Sequence, residues 1–238
     1  MKKNWKSSMA RMPYSVPKSA QERLRFSRWV LFTINAAEAA GIGQLTRMQL
    51  HLLLFMSFAS CRFYGIEPLR QRARRTKQGP YYRAAHFALG ALALSGLVEV
   101  SNFSAHQSST HLQFEGSFSA TVAGLEVGRH LRSTHRGEAL YAFLLDLCLG
   151  VVDGAWRDER TRDRRERSGL DRVFEQDLTY REALDRPGNV LFIEESLDHA
   201  TPTLAGLRQI RKYLEGEAFV NRRDVLTVYQ RLLRKKAA

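Results

Sequence analysis

Apolar positions recur at helical spacing over most of the chain, with one stretch of strand-like alternation near the middle. From about residue 22, Leu24, Trp29, Val30, Ile34 and Ala37 put an apolar stripe on one helix face, which Gly41 and Gly43 bring to an end. Thr46 followed three residues later by Gln49 signals the start of a second helix, because each side chain can satisfy a backbone N–H that the first turn leaves without a partner. Behind that cap Leu50, Leu53, Leu54, Phe58 and Cys61 sit in a segment apolar nearly all round, which predicts a central core helix. Gly65 and Pro68 then open a loop. Pro80 suits the first position of a third helix over 81–95, carrying Tyr82, Phe87, Leu89 and Leu92 and closed by Gly96. Residues 97–100 read as a short strand, 101–110 as a turn, and Leu112, Phe114 and Phe118 as a second strand. Thr121 can cap a fourth helix with Val122, Leu125, Val127 and Leu131 as candidate core positions.

The rest of the pattern is helical with one exception. Residues 137–156 predict an apolar helix, 157–172 carry mixed charge, and Val190, Leu191, Phe192 and Ile193 form a strand-like run. Helices over about 203–215 and 222–236 close the chain, the second capped by Asn221 with Asp224 at N3. Residues 1–21 hold Lys, Ser and Pro without periodic spacing and read as a basic irregular arm.

Charge narrows the function. The 238 residues hold 37 Lys and Arg against 24 Asp and Glu, a formal +13. Residues 1–80 account for 15 of the basic residues and only 3 acidic ones, so nearly all the excess is N-terminal and points to a polyanionic partner. Its densest part is Arg70, Arg72, Arg74, Arg75 and Lys77, just before a helix start that carries Tyr81, Tyr82 and Arg83. Such a cluster either holds nucleic-acid phosphates, releasing counterions, or is a solubilising loop; the tyrosines either stack on a nucleic acid or pack beneath that loop. The seven arginines of 157–172 alternate with five acids and read as a self-paired solvated face, or else as a contact for a partner.

Catalytic chemistry finds no foothold in the sequence. The histidines at 51, 86, 106, 111, 130, 135 and 199 form no ligand spacing, and 41–46 lack the third glycine of a dinucleotide loop and the lysine of a phosphate loop. Glu194 and Glu195 are adjacent and point apart, and no nucleophile elbow or Cys–His signature is present. The expectation is a non-enzymatic protein with no catalytic residues, metal or cofactor. Cys61 and Cys148 make no disulfide framework and suit a reducing cytoplasm; the apolar run 48–63 is interrupted by Gln49, His51 and Arg62 and is too short and polar for a membrane span.

Helix, helix, helix, strand, loop, strand, helix over 24–132 is the element order of a winged helix. Ala93-Leu94-Ser95-Gly96-Leu97-Val98 resembles the junction between the third helix and the wing of such proteins, and Phe118-Ser119-Ala120-Thr121-Val122-Ala123-Gly124 resembles their exit from the wing. The expected fold is mainly α with a small β-wing: a winged-helix domain over 22–135, followed by a mostly helical, partner-binding region over 136–238. A narrower resemblance runs from 44 to 98, through Gln44-Leu45-Thr46, Phe63-Tyr64-Gly65-Ile66-Glu67-Pro68-Leu69, Gly79-Pro80-Tyr81-Tyr82 and Gly96-Leu97-Val98. It is similar to the middle-component subunits of bacterial ABC three-component systems, including Lamassu-type antiphage defence. That resemblance implies a non-catalytic, DNA-associated accessory subunit working beside an SMC-like ABC ATPase and an effector subunit. The rival expectation is a free-standing dimeric winged-helix transcriptional regulator. For the partner surface, Val225, Val228, Tyr229, Leu232 and Leu233 line one stripe of the last helix, ringed by Arg222, Arg223, Arg231, Arg234, Lys235 and Lys236, a pattern suited to a partner groove.

Overall fold

A computed structural model describes residues 19–69, 71–76, 79–107, 112–154, 174–185, 188, 190–192, 200–215 and 220–237. The expected arm, Arg70, Lys77 and the mixed-charge stretch 157–172 lie outside them, apart from the last three residues of the arm. The described chain is mainly helical with two small antiparallel sheets. In order it runs α1 (Ala20–Ala39), β1 (Leu45–Thr46), α2 (Arg47–Ser60), a 3-10 turn (Cys61–Tyr64), β2 (Arg72–Thr76), β3 (Gly79–Tyr81), α3 (Arg83–Leu94), β4 (Val98–Gln107), β5 (Leu112–Ala120) and α4 (Val122–Arg132). Then follow α5 (His135–Gly154), α6 (Leu178–Asp185), β6 (Val190–Phe192), α7 (Pro202–Leu214) and α8 (Arg222–Ala237). None of the described helices is long and apolar enough to cross a membrane.

The expected caps are present. Thr46 and Gln49 exchange bonds of 3.2 and 2.9 Å across the first turn of α2, and Asn221 with Asp224 does the same for α8. Thr121 Oγ1 accepts from Gly124 N–H at 3.0 Å. Gly96 takes φ 68 after α3, so that its N–H and that of Leu97 close on Ala93 and Leu92 carbonyls, the left-handed stop that glycine allows.

In one sheet the order is β1-β5-β4: Leu45 faces Phe118, and β4 pairs along β5 from Val98 and Ala120 outward. The ladder slips between Ser101 and Ser104, where two β4 residues oppose Gly116 alone and Asn102 adopts φ 50. In the other sheet the order is β3-β2-β6, which corrects the expected basic loop: Arg72–Thr76 is a central strand, and its second partner comes from more than a hundred residues downstream. Pro80 accordingly belongs to β3 and not to a helix start.

α2 is buried at every position from Leu50 to Ser60. α1 closes on it, with the Trp29 indole N–H donating to Ser57 Oγ at 3.0 Å, and the α7 cap residue Thr201 donates to the Ala59 carbonyl at 2.7 Å. One apolar core therefore runs from Phe26 through Leu53, Phe143 and Leu207 to Leu233, crossing the expected domain boundary at 135/136. Two expected core positions, Val122 and Leu125, lie outside it and are exposed, as is Leu24 of the α1 stripe.

The wing exit explains a glycine. α4 presses on the start of β4 and on α1 so closely that a Cβ at Gly124 would collide with the Leu97 carbonyl, which backbone cannot yield cheaply. Gly90, mid-way along α3, meets nothing within 4 Å. Urea unfolding should therefore find Gly124→Ala destabilised by at least about 2 kcal/mol, as overpacking against backbone costs. Gly90→Ala should gain about 0.5–1 kcal/mol from helix propensity alone. Equal effects at the two sites would refute the close packing of α4.

Candidate functional site

The basic cluster is spread over the two faces of β2. Ala73 is fully buried, and Arg75 on the same face turns its Nη1 to donate to the Leu184 carbonyl at 3.1 Å, a cation at the C-terminal end of α6. Arg75 is thus tied into the fold. Arg72 and Arg74 occupy the opposite face, Arg74 exposed and Arg72 half-buried. Across the ladder Arg74 faces Tyr81, and two residues on, Arg83 is exposed with its guanidinium 5.4 Å from the Phe87 ring centroid. The cationic surface among the described residues of this region is therefore Arg72, Arg74 and Arg83.

The two tyrosines part company. Tyr81 is half-buried, its ring 5.0 Å from His51. Tyr82 is 1% exposed and packs edge-on against Phe58, so the expectation that it contacts DNA is corrected: it is a core side chain at the N-cap of α3.

His51 holds that cap in place. Its Nδ1 accepts the Tyr82 backbone N–H at 3.2 Å, which satisfies a helix-start donor that no side-chain cap of α3 reaches. A ring nitrogen that accepts must be unprotonated, so the proton sits on Nε2, which is buried without a partner. Burial first, then the nearby charges of Arg47 and His86, push the His51 imidazole down to about 3. The sequence shows His51 only as an interruption of an apolar run; its partner lies 31 residues away.

The stripe on α8 is largely internal. Val225, Tyr229 and Leu233 are 0%, 3% and 2% exposed, seated in the protein's own core, and Val228 is half-buried; only Leu232 is exposed, at 47%. The expectation that this stripe docks a partner is corrected accordingly. Tyr229 instead completes a buried polar knot missed by sequence reasoning. Asp177 Oδ1 accepts the Thr179 and Tyr180 N–H groups at 3.0 Å each, capping α6, while Oδ2 accepts from Thr203 Oγ1 and Tyr229 Oη at 2.9 Å each. Burial raises the Asp177 carboxyl, and the four donors work against that rise. A carboxylate, a threonine and a tyrosine in contact could pass for catalytic machinery. Here both oxygens are saturated, and the knot fastens α6, α7 and α8 together.

The outward face of α3 is apolar. Phe87, Gly90 and Leu94 fall at i, i+3 and i+7, with Phe87 50% and Leu94 92% exposed. Beside them, between α3 and the β4–β5 hairpin, runs a groove of about 290 Å³ that includes Arg47, Leu89, Gly90, Val100, Phe103 and Phe118. Among the described residues no group of His, Cys, Asp and Glu has the arrangement to hold a metal ion. Comparison with family models, curated proteins and solved structures returned no match.

The His51 geometry fixes the sign of an acid response. A folded-state value near 3, below the unfolded value of 6.5, contributes stability that is present above pH 6.5 and lost as pH falls toward 3. Between pH 7 and 5 that loss should be about 2 kcal/mol, at about 1.4 kcal/mol per pH unit below the unfolded value. His51→Asn keeps an acceptor for Tyr82 without titrating. Urea unfolding should find it less stable than the parent at pH 7 and visibly less sensitive to acid; identical pH slopes would show that His51 is not buried neutral.

Proposed function

We propose that this chain is a non-catalytic accessory subunit of winged-helix build, which lies on the backbone of duplex DNA and serves an SMC-like ABC ATPase and an effector subunit of an antiphage defence complex. The winged-helix reading draws support from the β1-β5-β4 order: a two-residue strand between α1 and α2 pairs with the far strand of a hairpin that follows α3 directly. The β2–β3 hairpin is an addition between the second and third helices of that plan.

The observation that carries the DNA reading is the outer face of β2. Arg72 and Arg74 project from a central strand hydrogen-bonded on both sides, with Ala73 buried beneath them and Arg75 anchored to Leu184. Cations on a braced strand lose little conformational entropy on meeting phosphates, and phosphate contacts give affinity without reading sequence. The rival regulator would lay α3 in the major groove, where base edges need donors and acceptors. Phe87, Gly90, Ala91 and Leu94 supply none from the middle and end of the exposed face of that helix; only Arg83 and His86 near its start carry them. That favours a subunit which holds DNA without choosing a sequence.

Fluorescence anisotropy on labelled duplexes tests this. The parent should bind unrelated sequences alike, with affinity falling steeply between 50 and 200 mM salt, concentrations at which about six phosphate contacts would lose a factor of about 10³. Arg72→Glu with Arg74→Glu should weaken binding at least tenfold, lower the salt slope by about two, and leave the unfolding midpoint unchanged. Arg75→Ala should lower the midpoint instead. Undiminished affinity in the double variant, or nanomolar preference for one palindrome, would overturn the reading.

A further inference from the structure

We infer that the groove between α3 and the β4–β5 hairpin is a docking site for an amphipathic helix of a partner protein that carries apolar anchors flanked by carboxylates. Nothing in this inference depends on the DNA reading, because it concerns a different surface.

Three independent features converge on the groove. Its lining is overwhelmingly apolar, yet Phe87 and Leu94 beside it stand largely in water, an arrangement that a soluble protein keeps where something covers it. The wall is also shaped for an incoming chain. Gly90 sits in the middle of a helix, where it costs about 1 kcal/mol against alanine, although none of the described residues approaches its Cβ position. Opposite, Gly116 faces the bulge in β4, and bulges of that kind bend a strand and re-aim its side chains. Both Gly116 and Phe103 of the bulge line the groove.

Charge selects the occupant. α2 begins at this groove, and a helix start carries partial positive charge that ordinarily attracts acidic residues to the first turn. The first turn of α2 has none and starts instead with Arg47. Arg47 and His86 line the groove, and among the described residues neither it nor the adjoining hollow formed by Thr46, Met48, Asn102, Ser104 and Ser117 holds a carboxylate. One helix start and Arg47 beside an apolar trough, with no carboxylate in its described lining, repel a basic helix and attract an acidic one. A nucleic acid fits poorly, since its phosphates would find few polar partners inside the trough. Between a helix and a sheet face, the mode with the best geometric match is a helix laid in a groove, read by anchors at i, i+3, i+4 and i+7.

The probe is a pair of fluorescein-labelled 16-residue peptides sharing one leucine stripe, with glutamate on the polar face of the first and lysine on that of the second. Titrated with the full chain in 150 mM salt, the acidic peptide should bind at least tenfold tighter than the basic one. Gly90→Phe enters the trough from a position whose Cβ has open space, and should weaken the acidic peptide at least tenfold. Leu94→Ser, at a position almost wholly in solvent, should weaken it severalfold, and Arg47→Glu should erase the preference for acid. Circular dichroism and the unfolding midpoint confirm that each variant folds. A peptide held merely by the net charge of +13 would bind Gly90→Phe as well as the parent, which would overturn the proposal. So would a parent chain that sediments as a dimer and becomes monomeric in Gly90→Phe, since the groove would then belong to a second copy. Loss of duplex binding in Gly90→Phe would assign the groove to DNA instead. Conversely, Arg72→Glu with Arg74→Glu should leave peptide affinity unchanged, which keeps the fate of this inference separate from that of the DNA reading.

Discussion

Burial of α2 on every side is the constraint that orders the rest of the molecule. A helix whose residues from Leu50 to Ser60 all lack solvent has no polar face to leave outside, so other elements must cover the whole of its circumference. α1, β3, α5 and α7 do so, drawn from both ends of the sequence. Each fully buried Leu or Phe contributes about 1.5–3 kcal/mol, which is why the covering elements are held firmly. The few polar groups trapped on the helix are satisfied locally or put to use. Ser57 and Ser60 donate to carbonyls one turn back, Ser57 also receives the Trp29 indole, and His51 receives the start of α3. α3 is consequently positioned by a neutral histidine and not by a side-chain cap of its own. The placement of the helix that borders the groove thus traces back to the core helix.

The same constraint decides what the C-terminal half can be. A region that supplies part of the cover for α2 is not free to act as a separate docking arm, and the anchors of α8 show it: Val225, Tyr229 and Leu233 point into the common core. The Asp177 knot reinforces the arrangement. A buried carboxylate is costly unless every lone pair is engaged, and here the donors come from α6, α7 and α8, so the carboxylate holds three helices in one register.

Much of the helical framework was legible because its signals are local. Thr46 with Gln49, Asn221 with Asp224, Thr121 and Gly96 act within one turn of themselves, and each marks a boundary that the structure keeps. The strand Arg72–Thr76 was not legible, since four of its five side chains are polar and its partner Val190–Phe192 lies far along the chain. Nor could the surface be read from apolar spacing. A stripe at i, i+3, i+4 and i+7 has the same form whether it faces its own core, as on α8, or water, as with Phe87 and Leu94 on α3. Sequence reasoning accordingly read the α8 stripe as a surface, although most of it is internal. Of the basic cluster, Arg70 and Lys77 lie outside the described residues, and strand alternation commits Arg75 to the Leu184 carbonyl and puts Arg72 and Arg74 on the other face.

Two surfaces of opposite character result, and their separation follows from physical chemistry. A flat, braced, cationic strand suits a polyanion that keeps its water and counterions near by, because phosphate contacts need charge and not burial. An apolar trough with a positive mouth suits a ligand that gives up water over its centre and keeps anions at its rim. Neither surface can do the other's work well: an apolar floor offers phosphates no partners, and arginines on an open sheet give an apolar helix nothing to bury. Because both are braced by the same core, through Ala73 beneath the strand and Leu89 beneath the trough, a ligand on one is held at a fixed orientation to a ligand on the other. Under the proposed function that rigidity is the contribution of the subunit, two faces that one hydrophobic core keeps in register.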